Sequence, residues 1–323
     1  MSSPKEKIEG EKHAEIGDAE DLDKTGESAA TVNEIMIIDP DTTELDLNHG
    51  RIGKMQNLEP LHNIERLYLR WNFIKKIENI ETLTTLVELE LYDNQISKIE
   101  NLGTLVNLEM LDLSFNKIKE IEGLEHNLNL KRLFLSSNKI HKIKNVQHLK
   151  NLELLELGDN KLREIENIED MSSLSYLYLG KNKITKIQNL DTLTNLKCLS
   201  LQSNRLKKIE NLDKLVNLTE LYLSENILTN IENLENNTKL ETLDLAQNKI
   251  TSIDNLGHLT ELEELWMNDN EIADWASLQN LEENKKLATV YFERNPFAQD
   301  PMYRPKLRRI IPSLTQIDAT LCH

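Results

Sequence analysis

Leucine, isoleucine and asparagine recur along this chain with a period of 22 residues. Each repeat has the form Leu89-x-Leu91-x-x-Asn94-x-Ile96-x-x-Ile99, in which apolar and polar positions alternate before the asparagine. A unit of 22 residues is too short to enclose a core of its own, so its copies must stack into a solenoid. Ten asparagines keep this frame without a slip: Asn72, Asn94, Asn116, Asn138, Asn160, Asn182, Asn204, Asn226, Asn248 and Asn270.

The Leu-x-Leu pair predicts one short strand in each unit, paired in parallel with the strands of the neighbouring units. The 22 residues of a unit leave too little length for a long α-helix on the return path, so short 3-10 turns are expected there. The predicted fold is therefore an α/β solenoid with a curved parallel sheet on its concave face and 3-10 turns on its convex face. Eleven units run from about Leu45 to Ile272, and a divergent twelfth follows after a 25-residue step at Val290-x-Phe292-x-x-Asn295.

The asparagine has a mechanical explanation. The turn after each strand places backbone groups between units, and an asparagine side chain offers both an acceptor and two donors to pair with them. The first unit has Gly50 in this position. No earlier unit precedes it, so no preceding turn requires hydrogen bonds from an asparagine there.

Both ends of the chain depart from the repeat. Residues 1–40 contain eleven acids, four lysines and no aromatic residue, and we expect a disordered acidic leader there, either a solvated tail or a functional arm. Residues 41–298 are assigned to the solenoid and 299–323 to a C-terminal cap. In the cap, Leu307, Ile310 and Ile311 have helical spacing and Pro312 ends the helix, so its basic run is interpreted as a solvated face.

The residue between the two leucines of each pair is the informative one. If both leucines point inward, this residue must point outward onto the sheet. Six of the twelve residues in this column are aromatic, five are acidic and none is Lys or Arg. In chain order they are Asp46, Tyr68, Glu90, Asp112, Phe134, Glu156, Tyr178, Ser200, Tyr222, Asp244, Trp266 and Tyr291.

Cross-strand stacking would explain a few aromatic pairs, but here most of the aromatics alternate with acids instead of adjoining one another. Exposed aromatics interleaved with charge are typical of protein-binding surfaces, which makes this column the candidate site. Glu264 and Glu220, two residues before Trp266 and Tyr222, extend it. By contrast, Trp275 replaces a core isoleucine and is expected to be buried.

Composition narrows the choice of partner. A net charge of -17 argues against nucleic acid or an anionic membrane as the principal partner. Two cysteines make no disulfide framework, which favours a reducing compartment. No nucleotide, nucleophile or metal motif is present, and an open sheet should offer no dry pocket in which a carboxyl pKa is raised, so neither an enzyme nor a cofactor is expected.

Several segments carry a resemblance to a known family. The Ile-Glu-Asn-Leu segments, the stretches Gly180-Lys-Asn-Lys-Ile-Thr-Lys, Trp266-Met-Asn-Asp-Asn and Glu293-Arg-Asn-Pro, and the ending Tyr303-Arg…Ile317-Asp318 resemble the leucine-rich-repeat regulatory subunits of protein phosphatase 1. The resemblance covers roughly residues 40–320.

This resemblance implies a non-catalytic subunit of the nucleus and cytoplasm. Its concave face would grip the phosphatase catalytic subunit, and a further phosphatase inhibitor protein would be able to join as a third component. The matching contact positions are Asp112, Phe134, Glu156, Tyr178, Asp244, Glu264 and Trp266, to which the column analysis adds Tyr222. The alternatives are a cytoskeletal or axonemal scaffold and a ribonucleoprotein scaffold.

Overall fold

Each repeat contributes one three-residue strand to a single sheet. The structure is a computed structural model that describes residues 39–322. Spatial order follows chain order, all pairs from β1 to β13 are parallel, and β14 closes the end antiparallel to β13. The strands are β1 (Glu44–Asp46), β2 (Arg66–Tyr68), β3 (Glu88–Glu90), β4 (Met110–Asp112), β5 (Arg132–Phe134), β6 (Leu154–Glu156), β7 (Tyr176–Tyr178), β8 (Cys198–Ser200), β9 (Glu220–Tyr222), β10 (Thr242–Asp244), β11 (Glu264–Trp266), β12 (Thr289–Tyr291), β13 (Gln316–Ile317) and β14 (Thr320–Leu321).

The predicted solenoid is confirmed. So is the predicted hydrogen-bonding role of the ten repeated asparagines, Asn72 to Asn270, which we call the asparagine ladder. Asn94 donates from Nδ2 to the carbonyl of Leu91 at 3.1 Å and to that of Leu69, one unit earlier, at 2.9 Å. Its Oδ1 accepts from the Ile74 N–H at 3.0 Å. The same side chain therefore satisfies its own turn and the turn of the preceding unit, as the choice of asparagine predicts.

The interior of the solenoid is filled by the repeated leucines and isoleucines. Leu89, Leu91 and Ile96 are fully buried, and their equivalents from the second unit onward are buried in the same way, whereas Leu47 and Ile52 of the first unit are half-buried. Burying one such side chain contributes about 1.5–3 kcal/mol, so the row of leucines accounts for most of the attraction between units. On the return path the Leu83 N–H bonds the Ile80 carbonyl and the Leu86 N–H bonds the Leu83 carbonyl, both at 3.0 Å, which is the 3-10 bonding pattern.

A second asparagine column supports the return path. Asn101 adopts a left-handed φ of 62° and donates to the carbonyl of Ile77, in the preceding unit, at 2.7 Å. Gly123 occupies this column in one unit with a φ of 71°, and a Cβ there would lie 2.5 Å from the Ile99 carbonyl oxygen. Asparagine and glycine tolerate the left-handed conformation, which explains the recurrent Ile-Glu-Asn-Leu segment.

The predicted cap helix is present as α1 (Tyr303–Ile310). Leu307 is buried against the end of the solenoid, and the Tyr303 hydroxyl lies 3.1 Å from Asp318 Oδ2. Two 3-10 helices, Trp275–Leu281 and Pro296–Gln299, precede it. Within residues 39–322 no helix is long and apolar enough to span a bilayer.

The prediction that Trp275 is a core residue is wrong. The side chain is half-buried, because the 25-residue step places it at the start of a 3-10 helix instead of in an inward-facing column. Its ring packs edge-on against Phe297 at 5.0 Å, and the Lys306 ammonium lies 4.9 Å from the ring centre. Trp275 thus joins the cap to the last repeat.

The predicted boundaries of the solenoid, at residues 41 and 298, stay predictions. Residues Asp39–His323 form one unit. The predicted acidic leader, residues 1–40, lies outside the described residues apart from its last two.

Candidate protein-binding face of the sheet

The strand register brings the candidate residues into one row. Asp112 pairs with Phe134, Phe134 with Glu156, and Glu156 with Tyr178 across β4 to β7. Tyr222, Asp244 and Trp266 continue the row on β9 to β11, with Glu264 two residues before Trp266 and Ser200 of β8 between the two groups. Eight strands at a spacing of about 4.8 Å extend over roughly 34 Å.

We define the sheet face as the middle residue of each Leu-x-Leu on β4 to β11 together with the residues two before and two after it. Five of its side chains are acidic, five are aromatic and one, Arg132, is a cation. The acids are Asp112, Glu156, Glu220, Asp244 and Glu264, and the aromatics are Phe134, Tyr176, Tyr178, Tyr222 and Trp266. The face is therefore strongly negative with apolar rings between its charges.

Two of the predicted contact acids have a structural task as well. Asp112 is only 8% exposed and accepts from the Ser114 N–H at 2.9 Å, while Asp244 is 6% exposed and accepts from the Ala246 N–H at 3.0 Å. Each thus forms an Asx turn that ends its strand. The sequence analysis places these side chains outward on the sheet but does not predict the turn, which holds each carboxylate against the backbone.

The carboxyl groups of this face are also perturbed. Burial raises the pKa of Asp112 and that of Asp244 above their ordinary values, against the hydrogen bonds they accept. Burial and the Asp112 carboxylate together raise the pKa of Glu156, against a hydrogen bond from Ser136. The expectation that an open sheet leaves carboxyl pKa values unraised is therefore wrong, since the aromatic neighbours and the close-set strands remove water from these groups.

A contrast with the first units shows what is missing on the sheet face. On β3, Glu90 is buried but ion-paired with Arg70, whose Nη2 donates to Oε1 at 2.6 Å. Among residues 39–322, no Lys or Arg lies within ion-pair distance of Asp112, Glu156, Asp244 or Glu264. These four carboxylates are desolvated or half-buried without a cation of their own.

The aromatic side chains of the sheet face are half-buried. Trp266 packs edge-on against Tyr291 with ring centres 5.8 Å apart, and its indole N–H is buried without an acceptor among residues 39–322. The Tyr222 hydroxyl donates to Glu220 at 3.0 Å. Burial raises the pKa of Tyr178 and of Tyr222, so both phenols are neutral donors at physiological pH.

The sheet face holds no activated nucleophile. Burial, with the nearby Glu220 carboxylate, raises the pKa of the Cys198 thiol to about 12, which keeps it protonated and unreactive. Among residues 39–322 there is no group of three or more His, Cys, Asp or Glu side chains that could hold a metal ion.

An exposed row of aromatics escaped the sequence reasoning. His49 stacks on Trp71 at 4.4 Å, Trp71 meets Tyr92 at 5.6 Å, and Tyr92 meets Phe115 at 4.9 Å. Trp71 is 41% exposed and Phe115 46% exposed. Both lie directly before the ladder asparagine, with φ values of 54° and 55°, where most other units have a polar residue. A bulky apolar residue directly before the ladder asparagine, where the backbone is left-handed, is the sequence feature that could have predicted this row.

Comparisons with known proteins agree with this architecture. The family described as Leucine Rich repeats (2 copies) matches residues 84–126, 150–193, 172–214, 194–236 and 238–280, which together make up more than half of the chain. An internalin from Listeria monocytogenes superposes with a TM-score of 0.72 at 24% identity, covering 88% of each chain. A leucine-rich-repeat protein from Leptospira interrogans gives 0.67 at 25% identity, covering 81% of this chain and 74% of that one.

Curated relatives match over a short stretch. Protein phosphatase 1 regulatory subunit 7 of Xenopus tropicalis is 56% identical over 62 residues, which are 19% of this chain and 18% of the relative. The protein of the same name from Danio rerio is 54% identical over 46 residues, 14% of this chain and 13% of the relative. The matched stretch thus spans less than a fifth of either relative. On the repeat matches, the chain belongs to the leucine-rich-repeat family.

Proposed function

We propose that this chain is a non-catalytic regulatory subunit that binds the catalytic subunit of protein phosphatase 1 through its sheet face. Binding would control the activity, maturation or localisation of the phosphatase. The observation that carries the proposal is the row of desolvated acids without ion-pair partners, interleaved with aromatic rings, across β4 to β11. The names of the curated relatives supply the identity of the partner.

The physical argument is that this row costs the free chain stability. A buried or half-buried carboxylate without a cation is destabilising, and so is the indole N–H of Trp266 without an acceptor, which costs about 1–3 kcal/mol. Such costs persist where a function requires them. A partner that presents basic and hydrogen-bonding groups would relieve them.

Each class of side chain would have its own part in binding. Phe134 and Trp266 would be the two anchors, each costing about 2 kcal/mol or more on truncation, with Tyr178 and Tyr222 as amphipathic contacts between them. Asp112, Glu156, Asp244 and Glu264 would orient the partner and accelerate its association.

The proposal extends to the setting in which the chain works. We expect it in the nucleus and cytoplasm, in a complex that a phosphatase inhibitor protein is able to join, without nucleic acid, membrane or cofactor. The unreactive Cys198 thiol and the open sheet face support a binding role over a catalytic one.

The test removes the anchor of β11. The double variant Glu264→Ala/Trp266→Ala is compared with Glu59→Ala/Phe73→Ala, which removes an exposed acid and an exposed ring away from the sheet face. Affinity for the purified phosphatase catalytic subunit is measured after circular dichroism has shown that both variants fold. We expect the first variant to bind at least about thirtyfold more weakly and the control to bind like the wild type.

A pull-down with mass spectrometry identifies the partner independently. The phosphatase should be recovered with the wild type and lost with the sheet-face variant. Wild-type affinity in that variant, or recovery of tubulin or of ribonucleoprotein components in place of the phosphatase, would contradict the proposal.

A further inference from the structure

A second charged surface follows the asparagine ladder. In each unit the residues one, three and four positions after the ladder asparagine flank buried isoleucines or leucines and reach solvent. Between Asn72 and Ile209 these 21 positions hold fourteen Lys or Arg and only two acids, Glu120 and Glu164. We call the fourteen cations the basic strip: Lys75, Lys76, Lys98, Lys117, Lys119, Lys139, Lys142, Lys161, Arg163, Lys183, Lys186, Arg205, Lys207 and Lys208.

The strip is positively charged, whereas the chain as a whole is negatively charged. The protein has 55 acids and 38 Lys or Arg, so a random surface patch would be acidic. Surface charges that serve only solubility are usually of mixed sign. Seven consecutive units instead keep the same sign along one edge, from Lys75 to Lys208.

Backbone hydrogen bonds hold the strip in register. The Lys139 N–H bonds the Ile118 carbonyl, the Lys161 N–H bonds Ile140, and the Lys183 N–H bonds Leu162, each at 2.8 Å. Successive units therefore place equivalent positions one strand spacing, about 4.8 Å, apart, and seven units extend over roughly 29 Å. The result is a row of predominantly positive charge on a regular backbone.

The cations of the strip are almost all without an acidic partner. Among residues 39–322, only Lys98 of the fourteen forms an ion pair, with Glu100 at 3.6 Å. Like charges in adjacent rungs repel one another, so the strip does not stabilise the fold. Thirteen cations that form no ion pair among residues 39–322 are available to an anionic ligand.

We propose that the basic strip binds an extended acidic segment of a second protein. Lysine predominates over arginine by twelve to two, and its flexible point charge suits carboxylates at irregular spacing better than the planar arginine fork does. Phe73, at one end, is the single aromatic residue among the 21 positions, so the strip lacks the stacking platforms that single-stranded nucleic acid requires.

The strip and the sheet face are separate surfaces of the same repeats. The ladder asparagines, with side chains buried in the turn, stand between them along the chain. An acidic segment on the strip would leave the sheet face open, and the chain would hold two different proteins together. This inference does not depend on the identity of the partner at the sheet face.

The test reverses charge on three successive rungs. Lys139→Glu/Lys161→Glu/Lys183→Glu is compared with Lys150→Glu/Lys197→Glu/Lys239→Glu, which alters three exposed lysines off the strip and changes the net charge equally. The probe is a fluorescent glutamate-rich peptide long enough to span the strip, and binding to the full chain is followed by anisotropy at about 50 mM and about 300 mM salt. The corresponding triple Lys→Gln variant checks that the effect comes from lost cations and not from added acids.

We expect the peptide to bind the wild type, to bind the strip variants at least about tenfold more weakly, and to bind the control within about twofold of wild type. Higher salt should weaken wild-type binding. Equal binding to the strip variant and the control, absence of wild-type binding at low salt, or tighter binding of a single-stranded oligonucleotide of equal charge would overturn the proposal. Undiminished peptide binding by Glu264→Ala/Trp266→Ala would support it and separate the strip from the sheet face.

Discussion

The asparagine ladder and the sheet face share the same 22-residue period and lie four residues apart in each unit, yet they treat polar groups in opposite ways. In the ladder, residue type hardly varies and every side chain such as Asn94 is fully hydrogen-bonded. On the sheet face, residue type changes from unit to unit, the carboxyl group of Glu156 is partly desolvated without an ion-pair partner, and the indole N–H of Trp266 has no acceptor among residues 39–322. A constant, satisfied column indicates structure, and a varied, unsatisfied column indicates binding.

The largest effect is expected when one asparagine of the ladder is replaced. Asn160→Ala should lower the free energy of unfolding by about 1–3 kcal/mol, because the turns of two units would each lose hydrogen-bond partners in a buried place. In the wild type Asn160 donates to Leu135 at 2.9 Å and accepts from Ile140 at 3.0 Å. Urea unfolding followed by circular dichroism measures the loss.

The control is Asn151→Ala, which removes one exposed hydrogen bond of 3.0 Å to the Leu128 carbonyl. We expect a change within about 0.5 kcal/mol for this variant. Equal losses of unfolding free energy in the two variants would show that burial does not increase the contribution of a ladder asparagine to stability. Affinity for the sheet-face partner should stay close to the wild-type value in Asn160→Ala as long as the chain is folded.

The opposite substitution truncates an anchor on the sheet face. Phe134→Ala should weaken partner binding by about 2 kcal/mol, or about thirtyfold in Kd, because a half-buried ring that is covered by a partner contributes mainly to the complex. Its effect on the free energy of unfolding should be smaller than that of Asn160→Ala. Titration calorimetry with the phosphatase catalytic subunit and urea unfolding measure the two effects.

Phe73→Ala is the matched control, since Phe73 is exposed and lies outside the sheet face. It should leave the affinity unchanged. If Phe134→Ala cost stability and spared binding, the sheet face would have to be regarded as structural.

The sequence predicted the solenoid, the ladder and the row of candidates because each depends on periodic spacing. The alternation around Leu111 and Leu133 alone places Asp112 and Phe134 outward and in register. Three features lay beyond that logic. Asx turns pull Asp112 and Asp244 into the backbone, and such bonding depends on the local turn and not on the period.

The other two features also arise where the repeat is locally irregular. Trp275 leaves its column because three additional residues precede the last strand of the repeats. Trp71 and Phe115 meet through Tyr92, which belongs to a different column, so no single column reveals their contact. Residues that interact across columns require coordinates.

A smaller effect is expected when only the charge of the sheet face is altered. The pKa of Glu156 is raised by burial and by Asp112, so it lies above the value in the unfolded chain. Such a group favours folding below the unfolded pKa, and this contribution is lost as the pH rises through the folded pKa. Glu156→Gln should therefore raise the free energy of unfolding at about pH 7 by a few tenths to about 1 kcal/mol, with no gain near pH 4.

Urea unfolding at both pH values checks this, with the exposed Glu153→Gln as control, for which we expect a change within about 0.5 kcal/mol. The same Glu156→Gln variant should bind the phosphatase more weakly. A variant that gains stability and loses affinity would show directly that the acid is retained for binding. A loss of stability at neutral pH would contradict the reasoning.

The smallest expected effect concerns Asp112. This residue lies on the sheet face but also forms a structural hydrogen bond, as the ladder asparagines do. Asp112→Asn keeps an Oδ1 that can accept from the Ser114 N–H, so the strand should end as before and the free energy of unfolding should change by no more than about 0.5 kcal/mol. The variant lacks the negative charge, and we expect a few-fold slower association with the phosphatase at low salt. Stopped-flow association at two salt concentrations measures this, and the difference should shrink as salt screens the charge. An unchanged association rate together with lost stability would assign Asp112 to the structural class alone.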